Sequence, residues 1–532
     1  MPLESQPYRV IFEAEWNDIP CVDYPLTPEK WVSESIRPLA GTQVDCLFYN
    51  FCSSDGFVCA LDSGPILMDN FEKLGDAWVW RYRENTKRLV AEGANPPDLA
   101  VEYGHALGIK VAPIVRMNDQ HDMFFKYEVS QFKFDNPHLL LGHGKYVDWE
   151  KGSYGHPHRE RIESFTWGMF DFAHAEVRAR RLSVIEEFLT RWDQDGICLD
   201  FDRAPWFFQE EGRQEDADLM TELLVDVRRI ADEQAARRGH PMFVHVRVLP
   251  TIEASHRRGL DVRRWVEEGL VDGISPGAGY LPLLLDLGPW LKLVEDRPCW
   301  IHPCNNHWKT TKTARAWAKL MDHRGAHGYY LFNWGHLLHG FDENTPPQSE
   351  RLGTVWMDEL HPDFYQTLHE IADPHRIAYG DALYDLEAHP HGPIAGIDGE
   401  AHRHFRGIDA IELPVTLTVG THTIRLPFAE DLAGAEARGF TPQITLRLKL
   451  RQYTFPDEFD VSLNGILLDP ATRTTRAAFI MDNDTWMTYP VHGEVLNMGD
   501  NTLTLTVSSL NPQMDVTPSL ENVELEVAYR GA

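Results

Sequence analysis

DGICLDFDRAPWFF, residues 195–208, is the stretch on which the fold turns. Its first half is a short apolar run of the kind a strand buried on both faces presents. Ile197, Leu199 and Phe201 hold one parity of that run, and Asp200 and Asp202 hold the other. Strand alternation therefore points both carboxylates the same way, about 6.5 Å apart at the usual rise. The run then breaks at Pro205 into the aromatics Trp206, Phe207 and Phe208.

On either side, short apolar or β-branched runs alternate with amphipathic stretches. The strand-like runs are 8–16, 44–51, 109–117, 196–202, 242–249, 271–277, 298–304 and 327–334. The helix-like stretches between them are 77–93, 175–192, 216–239, 260–269 and 313–325, and Gly239, Gly269 and Gly325 stand where left-handed helix caps are expected. Strands alternating with helices predict an α/β fold with a parallel sheet. Repeats of this number, ending near residue 375, favour a closed (β/α)8 TIM barrel over 1–375; a doubly wound open sheet is the alternative.

The pattern changes after the His-, Pro- and Gly-rich segment 373–396. From there, alternating apolar and polar residues with short turns predict an all-β sandwich, jelly-roll-like, over 376–532. LNG at 463–465 and GDN at 499–501 have the composition of hairpin turns.

Composition narrows the function. The 532 residues are 43% hydrophobic and 11% aromatic, enough for large cores. Against 50 Lys and Arg there are 81 Asp and Glu, a formal net charge of -31 with no compensating basic run. That field disfavours nucleic acid and anionic membrane as partners and suits neutral or weakly charged substrates. The opening MPLESQPYRVIFEAEW has neither a basic region nor an apolar core of a leader, and no apolar run is long enough to span a bilayer, so the expectation is a cytoplasmic protein. Seven cysteines without a CxxC pair predict buried, reduced thiols. His156 with His158, and His302 with His307, lack a third ligand at fixed spacing; no metal and no cofactor are expected. Oligomeric state leaves no trace in the sequence.

In a barrel, active sites form at the carboxyl ends of the strands, and polar residues gather there along this chain. Glu13 and Glu15 share a face at the end of strand one. Strand three ends in Arg116, Asn118, Asp119 and His121, and a connection of over fifty residues follows, long enough to wall a cleft. Strand five offers His245 and Arg247, with Glu253 in the loop beyond; strand seven offers His302 and Asn305, and strand eight Asn333 and Trp334. Two facing acids at a strand end raise each other's pKa, as general-acid chemistry at neutral pH requires. The competing reading is a buried ion pair with Arg203 or with arginines of neighbouring strands. Aromatics beside these groups, Trp206 with Trp149, Tyr154, Trp167, Trp308 and Trp334, suit a sugar, which has apolar faces and a hydroxyl rim.

DGICLDFDR resembles the strand-four signature of glycosyl-hydrolase-like barrel proteins of the bacterial "family 10 glycosylhydrolase" type. In those proteins the strand follows a helix with an AHxEVR-like start; FAHAEVR stands here at 172–178, and GLDVRRWVEEGLVDGISPG at 259–277 is similar to their approach to strand six. The stretch is more distantly similar to the DGxDxDxE strand of family 18 chitinases, with Cys198 in place of the first internal Asp and Asp202 in place of the acid Glu. That departure argues against a substrate-assisted chitinase mechanism. The resemblance implies a glycoside hydrolase acting on an oligo- or polysaccharide. Asp202 is then the general acid/base, and Asp200 the nucleophile or the residue that tunes Asp202. Glu253 or Glu15 becomes the second carboxylate. Glu13, Arg116, Asn118, Asp119, His121, Arg203, Trp206, His245, Arg247, His302, Asn305, Asn333 and Trp334 become substrate-binding residues. A non-catalytic carbohydrate-binding or structural barrel, and a lyase or metal-dependent hydrolase on the same fold, remain the alternatives.

Overall fold

The computed structural model describes residues 8–15, 24–123, 126–142, 166–277, 282–305, 311–332, 367–387, 412–477 and 483–531. Its largest element is a parallel sheet of nine strand segments: β1 (Val10–Ala14), β2 (Cys46–Asn50), β3 (Lys110–Arg116), β4 (Gly196–Asp200), β5 (Phe243–Val248), β6 (Gly273–Pro276), β7 (Trp300–Ile301), β8 (Cys304–Asn305) and β9 (Tyr329–Leu331). The hydrogen-bonded order is β8-β9-β1-β2-β3-β4-β5-β6-β7. Its two ends are pieces of one stretch, 300–305, parted by His302 and Pro303. On one side the His302 amide donates to the Ile274 carbonyl at 2.9 Å, and on the other the Tyr330 amide donates to the Pro303 carbonyl at 3.0 Å. Every strand-like run in the sequence contains one of these segments; only 298–304 is split, because proline has no amide to continue a ladder.

The strands are buried on both faces, and the two parities feed separate cores. Val10, Phe12, Leu47, Val111, Ile197, Leu199, Val244 and Val246 join the larger core, which the helices share. The alternate residues, among them Ile11, Phe48, Ile114, Cys198, Phe243 and Tyr330, pack together with Tyr8 on the inner face. Continued toward the carboxyl ends, that inner parity changes from apolar to charged, through Glu13, Glu15, Arg116, Asp200 and Arg247, all buried.

Helices cover the outer face, including Ala77–Ala91, Ala175–Arg191, Gln214–Arg238, Val262–Glu267 and Thr311–His323, each overlapping an expected stretch, although Gln214–Arg238 and Thr311–His323 begin two residues before theirs. Gly239 closes its helix in the left-handed region at φ 79°. Pro96–Ala106 is a helix absent from the expected stretches; Pro96 and Pro97 open it, and proline fits the first turn, where the amide has no intrahelical partner. The six described cysteines are buried free thiols, and Cys21 lies outside the described residues. No helix among the described residues is long and apolar enough to cross a membrane.

Beyond residue 380 the chain forms antiparallel sheets. One joins β10 (Ala382–Glu387), β19 (Ser519–Gly531), β13 (Phe440–Arg451), β17 (Asp484–Val491) and β16 (Thr474–Ala477) in that order, with β11 (Val415–Thr416) on β19. The other joins β12 (Gly420–Phe428), β18 (Gly499–Ser509), β14 (Glu458–Leu463) and β15 (Ile466–Leu467). Alternation is plain in β13, where Ile444, Leu446, Leu448 and Leu450 are buried. LNG makes the β14–β15 turn, with Asn464 and Gly465 at φ 50° and 80°. GDN does not make a turn: Gly499, Asp500 and Asn501 open β18 and pair with Phe428, Pro427 and Leu426. The polar residues that suggested a turn serve the strand's start, where the Asn501 side chain binds the backbone at Asn497.

The two parts are joined by a buried charge. Lys319, on helix Thr311–His323, donates to Glu430 Oε2 at 2.7 Å and to the Gly380 carbonyl at 3.0 Å. Tyr384 of β10 and Tyr529 of β19 donate to the same carboxylate at 2.8 and 2.6 Å.

Candidate active site

Neighbouring registers place Arg116 of β3 beside Asp200 of β4, and Asp200 beside Arg247 of β5. All three occupy the inner parity, so their charged groups meet in one layer. Arg247 grips Asp200 with a planar fork, Nε to Oδ1 and a terminal nitrogen to Oδ2, each at 2.9 Å, and its other terminal nitrogen lies 3.4 Å from Asp202 Oδ2. Asp200 Oδ1 also accepts the backbone amides of Asp202 at 3.0 Å and Arg203 at 3.1 Å, which fixes the turn after β4. Burial opposes the charge on Arg247, but Asp200 and Asp202 outweigh it and hold the guanidinium well above its usual value. Asp202 packs directly on Gly277, just past β6, where any side chain would collide with its carboxylate.

A second group adjoins the first. The Arg116 guanidinium pairs with Glu15 at the end of β1 and donates to Asp119 Oδ2 at 2.9 Å. Asp119 Oδ1 accepts the amides of Gln120 and His121 and the His121 ring Nδ1, the last at 2.5 Å. Burial pushes Asp119 up, yet His121, Arg116 and these hydrogen bonds prevail and hold it well below the usual carboxylate range. His121 Nε2 in turn accepts from Arg203 at 2.7 Å. Glu13, buried one step down β1, acts electrostatically on Arg116, Cys198 and Tyr330.

The structure separates the other expected residues from this cluster. Asn118 is a clamp: its amide donates to the carbonyls of Phe170 and Trp206 at 2.8 and 2.7 Å, and its carbonyl accepts the Phe170 amide at 2.9 Å. That leaves little capacity for a sugar hydroxyl. His245 and His302 lie deeper, in the apolar layer around Tyr8. The His245 ring bonds to the Tyr8 hydroxyl and to Ser275, both at 2.8 Å, and His302 stacks on Tyr8 with ring centroids 5.1 Å apart. Burial holds His245 well below its usual value and His302 down to about 3, so both are neutral packing residues. Glu253 is in the first turn of helix Ile252–Arg257, exposed, and paired with Arg263 at 3.1 Å. It is not brought to the cluster.

Asn305 is buried at the end of β8. Trp206 is half-buried with the Arg258 guanidinium 3.6 Å above its ring, whereas Phe207 and Phe208 belong to the core. Asn333 and Trp334 lie outside the described residues, as do Trp149, Tyr154, His156, His158, His307 and Trp308. Among the described residues no three His, Cys, Asp or Glu side chains gather as a metal ion would require.

No family model matches the chain, and no curated protein matches it. Solved structures do match in part. The PgaB (BpsB) glycoside hydrolase domain from Bordetella bronchiseptica is 11% identical over 61% of this chain and 94% of its own, at a TM-score of 0.39. A GH18 chitinase from Pseudoalteromonas aurantia is 8% identical over 62% of this chain and 95% of its own, at 0.31. A cycloisomaltooligosaccharide glucanotransferase from Paenibacillus sp. is 9% identical and covers 97% of this chain at 0.34, while this chain spans 57% of its length. At these values the likeness does not reach individual residues.

Two acids near the cluster escaped the sequence reading. Glu128 is buried, accepts the Ser53 hydroxyl at 2.5 Å, and is pushed up to about 7, chiefly by burial. Asp122, bound to Lys133 at 2.5 Å, is pushed up to about 6, also chiefly by burial. Both sit in the irregular segment after β3, where no periodicity marks an inward-facing position.

Proposed function

We propose that this chain is a glycoside hydrolase with its catalytic centre at the carboxyl ends of the parallel strands. We read the sheet as a closed (β/α)8 barrel, continuous through residues 300–305, occupying 1–375, with a jelly-roll-like sandwich over 376–532. The observation that carries the functional reading is the change of the inner face from apolar to charged at one end. Carboxylates and guanidinia from β1, β3, β4 and β5 converge there, on the face where barrels place their chemistry.

Within that site Asp202 is assigned as the general acid/base. Asp200 takes the tuning role rather than that of nucleophile: two guanidinium bonds and two amides already occupy its oxygens. Of the two acids expected to partner Asp202, Glu15 rather than Glu253 is brought to the site, where Arg116 holds it. Trp206 offers a half-buried ring for the apolar face of a sugar.

One observation favours a second reading, a non-catalytic barrel that binds carbohydrate: Arg247 engages both acids of the opening motif, as a purely structural ion pair would. The experiment that decides between them is digestion of a panel of oligo- and polysaccharides by the wild type and by Asp202→Asn. Product from the wild type alone supports the hydrolase; binding without product from either supports the second reading.

A further inference from the structure

We propose that His121 is the base of this site, oriented by Asp119 and covered by Arg203 until substrate arrives. The proposal deepens the glycosidase reading and depends on it for its substrate, whereas the proton arrangement stands on geometry alone.

The arrangement follows from what each partner can do. A guanidinium only donates, so Arg203 at 2.7 Å from Nε2 requires a lone pair there. The ring proton is therefore on Nδ1, directed at Asp119 Oδ1 at 2.5 Å. A neutral imidazole with a carboxylate behind it and its lone pair forward is the form in which histidine accepts a proton. Asp119 is in turn fixed by the amides of Gln120 and His121 and by Arg116, so it cannot swing away from the ring.

Access separates His121 from its neighbours. Its side chain is 20% exposed, while that of Asp119 is 0% and those of Asp200 and Asp202 are 3%. Asp200 and Asp202 also face Arg247. His121 is thus the most exposed of these four side chains. Arg203 is half-buried and its amide is anchored on Asp200, so its backbone stays in place when substrate displaces its guanidinium from the imidazole.

In the reaction, a water molecule displaces Arg203 from Nε2. The water O–H bond breaks, its proton passes to Nε2, and its electron pair forms the new bond to the anomeric carbon. The glycosidic C–O bond breaks with its electron pair on the leaving oxygen, which takes the proton of the Asp202 carboxyl. His121 then gives its proton to solvent and the Asp202 carboxylate takes one back from solvent, so both residues return to their starting states and the net change is addition of one water. Direct attack by water inverts the anomeric centre.

The test combines activity with an activity-independent readout. Wild type, His121→Gln, His121→Gly, Asp119→Asn and Asp202→Asn are assayed on the glycan panel, and the ring nitrogens of His121 are read by 15N NMR, assigned by the signal that His121→Gln removes. We expect the Nδ1–H tautomer in the wild type, a product first released with inverted configuration, and kcat reduced about 100-fold or more in His121→Gln. Added imidazole should restore part of the activity of His121→Gly, which a merely structural role for the ring would not allow. Wild-type kcat in His121→Gln, alongside an inactive Asp202→Asn, overturns the role of His121 and leaves the glycosidase reading standing. An Nε2–H tautomer overturns the proton arrangement. Absence of product from every glycan with the wild type overturns the glycosidase reading and, with it, the reaction assigned to His121.

Discussion

Arg247 holds Asp200 through two hydrogen bonds of 2.9 Å and reaches Asp202 at 3.4 Å, so one guanidinium from β5 balances both acids of the motif that opens the fold. Removing it leaves Asp200 and Asp202 buried without their shared guanidinium. Arg247→Met is expected to lower stability by about 3–5 kcal/mol, read as a lower denaturant midpoint. Arg247→Lys keeps the charge but not the planar fork, and should fall between the two.

Lys319 and Glu430 join the helix-covered sheet to the antiparallel part with both side chains nearly inaccessible. Lys319→Met should cost about 3–5 kcal/mol, since Glu430 keeps its burial and loses its cation. The double variant Lys319→Met with Glu430→Gln should recover part of that loss. Both effects are measurable by chemical denaturation. A Lys319→Met chain as stable as the wild type would remove this contact as the link between the two parts.

Asn118 uses its whole amide to tie the end of β3 to Phe170 and Trp206. Asn118→Ala is expected to cost about 2–3 kcal/mol by stranding those backbone groups. Asn118→Asp loses the two donors but keeps the acceptor, and should be no better. Thermal unfolding checks both.

Glu128 keeps its proton in the folded chain up to about 7, against 4.5 as its ordinary value. Between those two pH values the folded state binds the extra proton, so this group's contribution to stability falls as pH rises. Glu128→Gln has no such term. Its stability relative to the wild type should therefore rise from pH 5 to pH 8 in paired denaturation curves; a flat difference would contradict the assignment.

Much of this was legible in the sequence, for identifiable reasons. Ile197, Leu199 and Phe201 fill one parity of β4, so the inward direction of Asp200 could be read without a structure. Its partner could not, because the pairing of Asp200 with Arg247 depends on the β4–β5 register. His245 and Arg247 share a parity and looked equivalent, but two residues along a strand is about 6.6 Å, enough to put His245 in the apolar layer with Tyr8. Glu253 read as an acid in the loop beyond strand five, although Thr251 two residues earlier caps a helix, with its hydroxyl accepting the Ala254 amide at 3.0 Å. An acid in that first turn is accounted for by the helix dipole. Glu128 and Ser53 meet across loops that carry no periodic signal, so nothing local announced them.

The proposed hydrolysis of glycosidic bonds at the charged end of the inner face depends on Asp202. Its most direct test is kcat/KM of Asp202→Asn against the wild type on whichever glycan the wild type cleaves, with Tm measured on both. A loss of about 100-fold or more at nearly unchanged Tm is expected. Equal kcat/KM for the two proteins would contradict it.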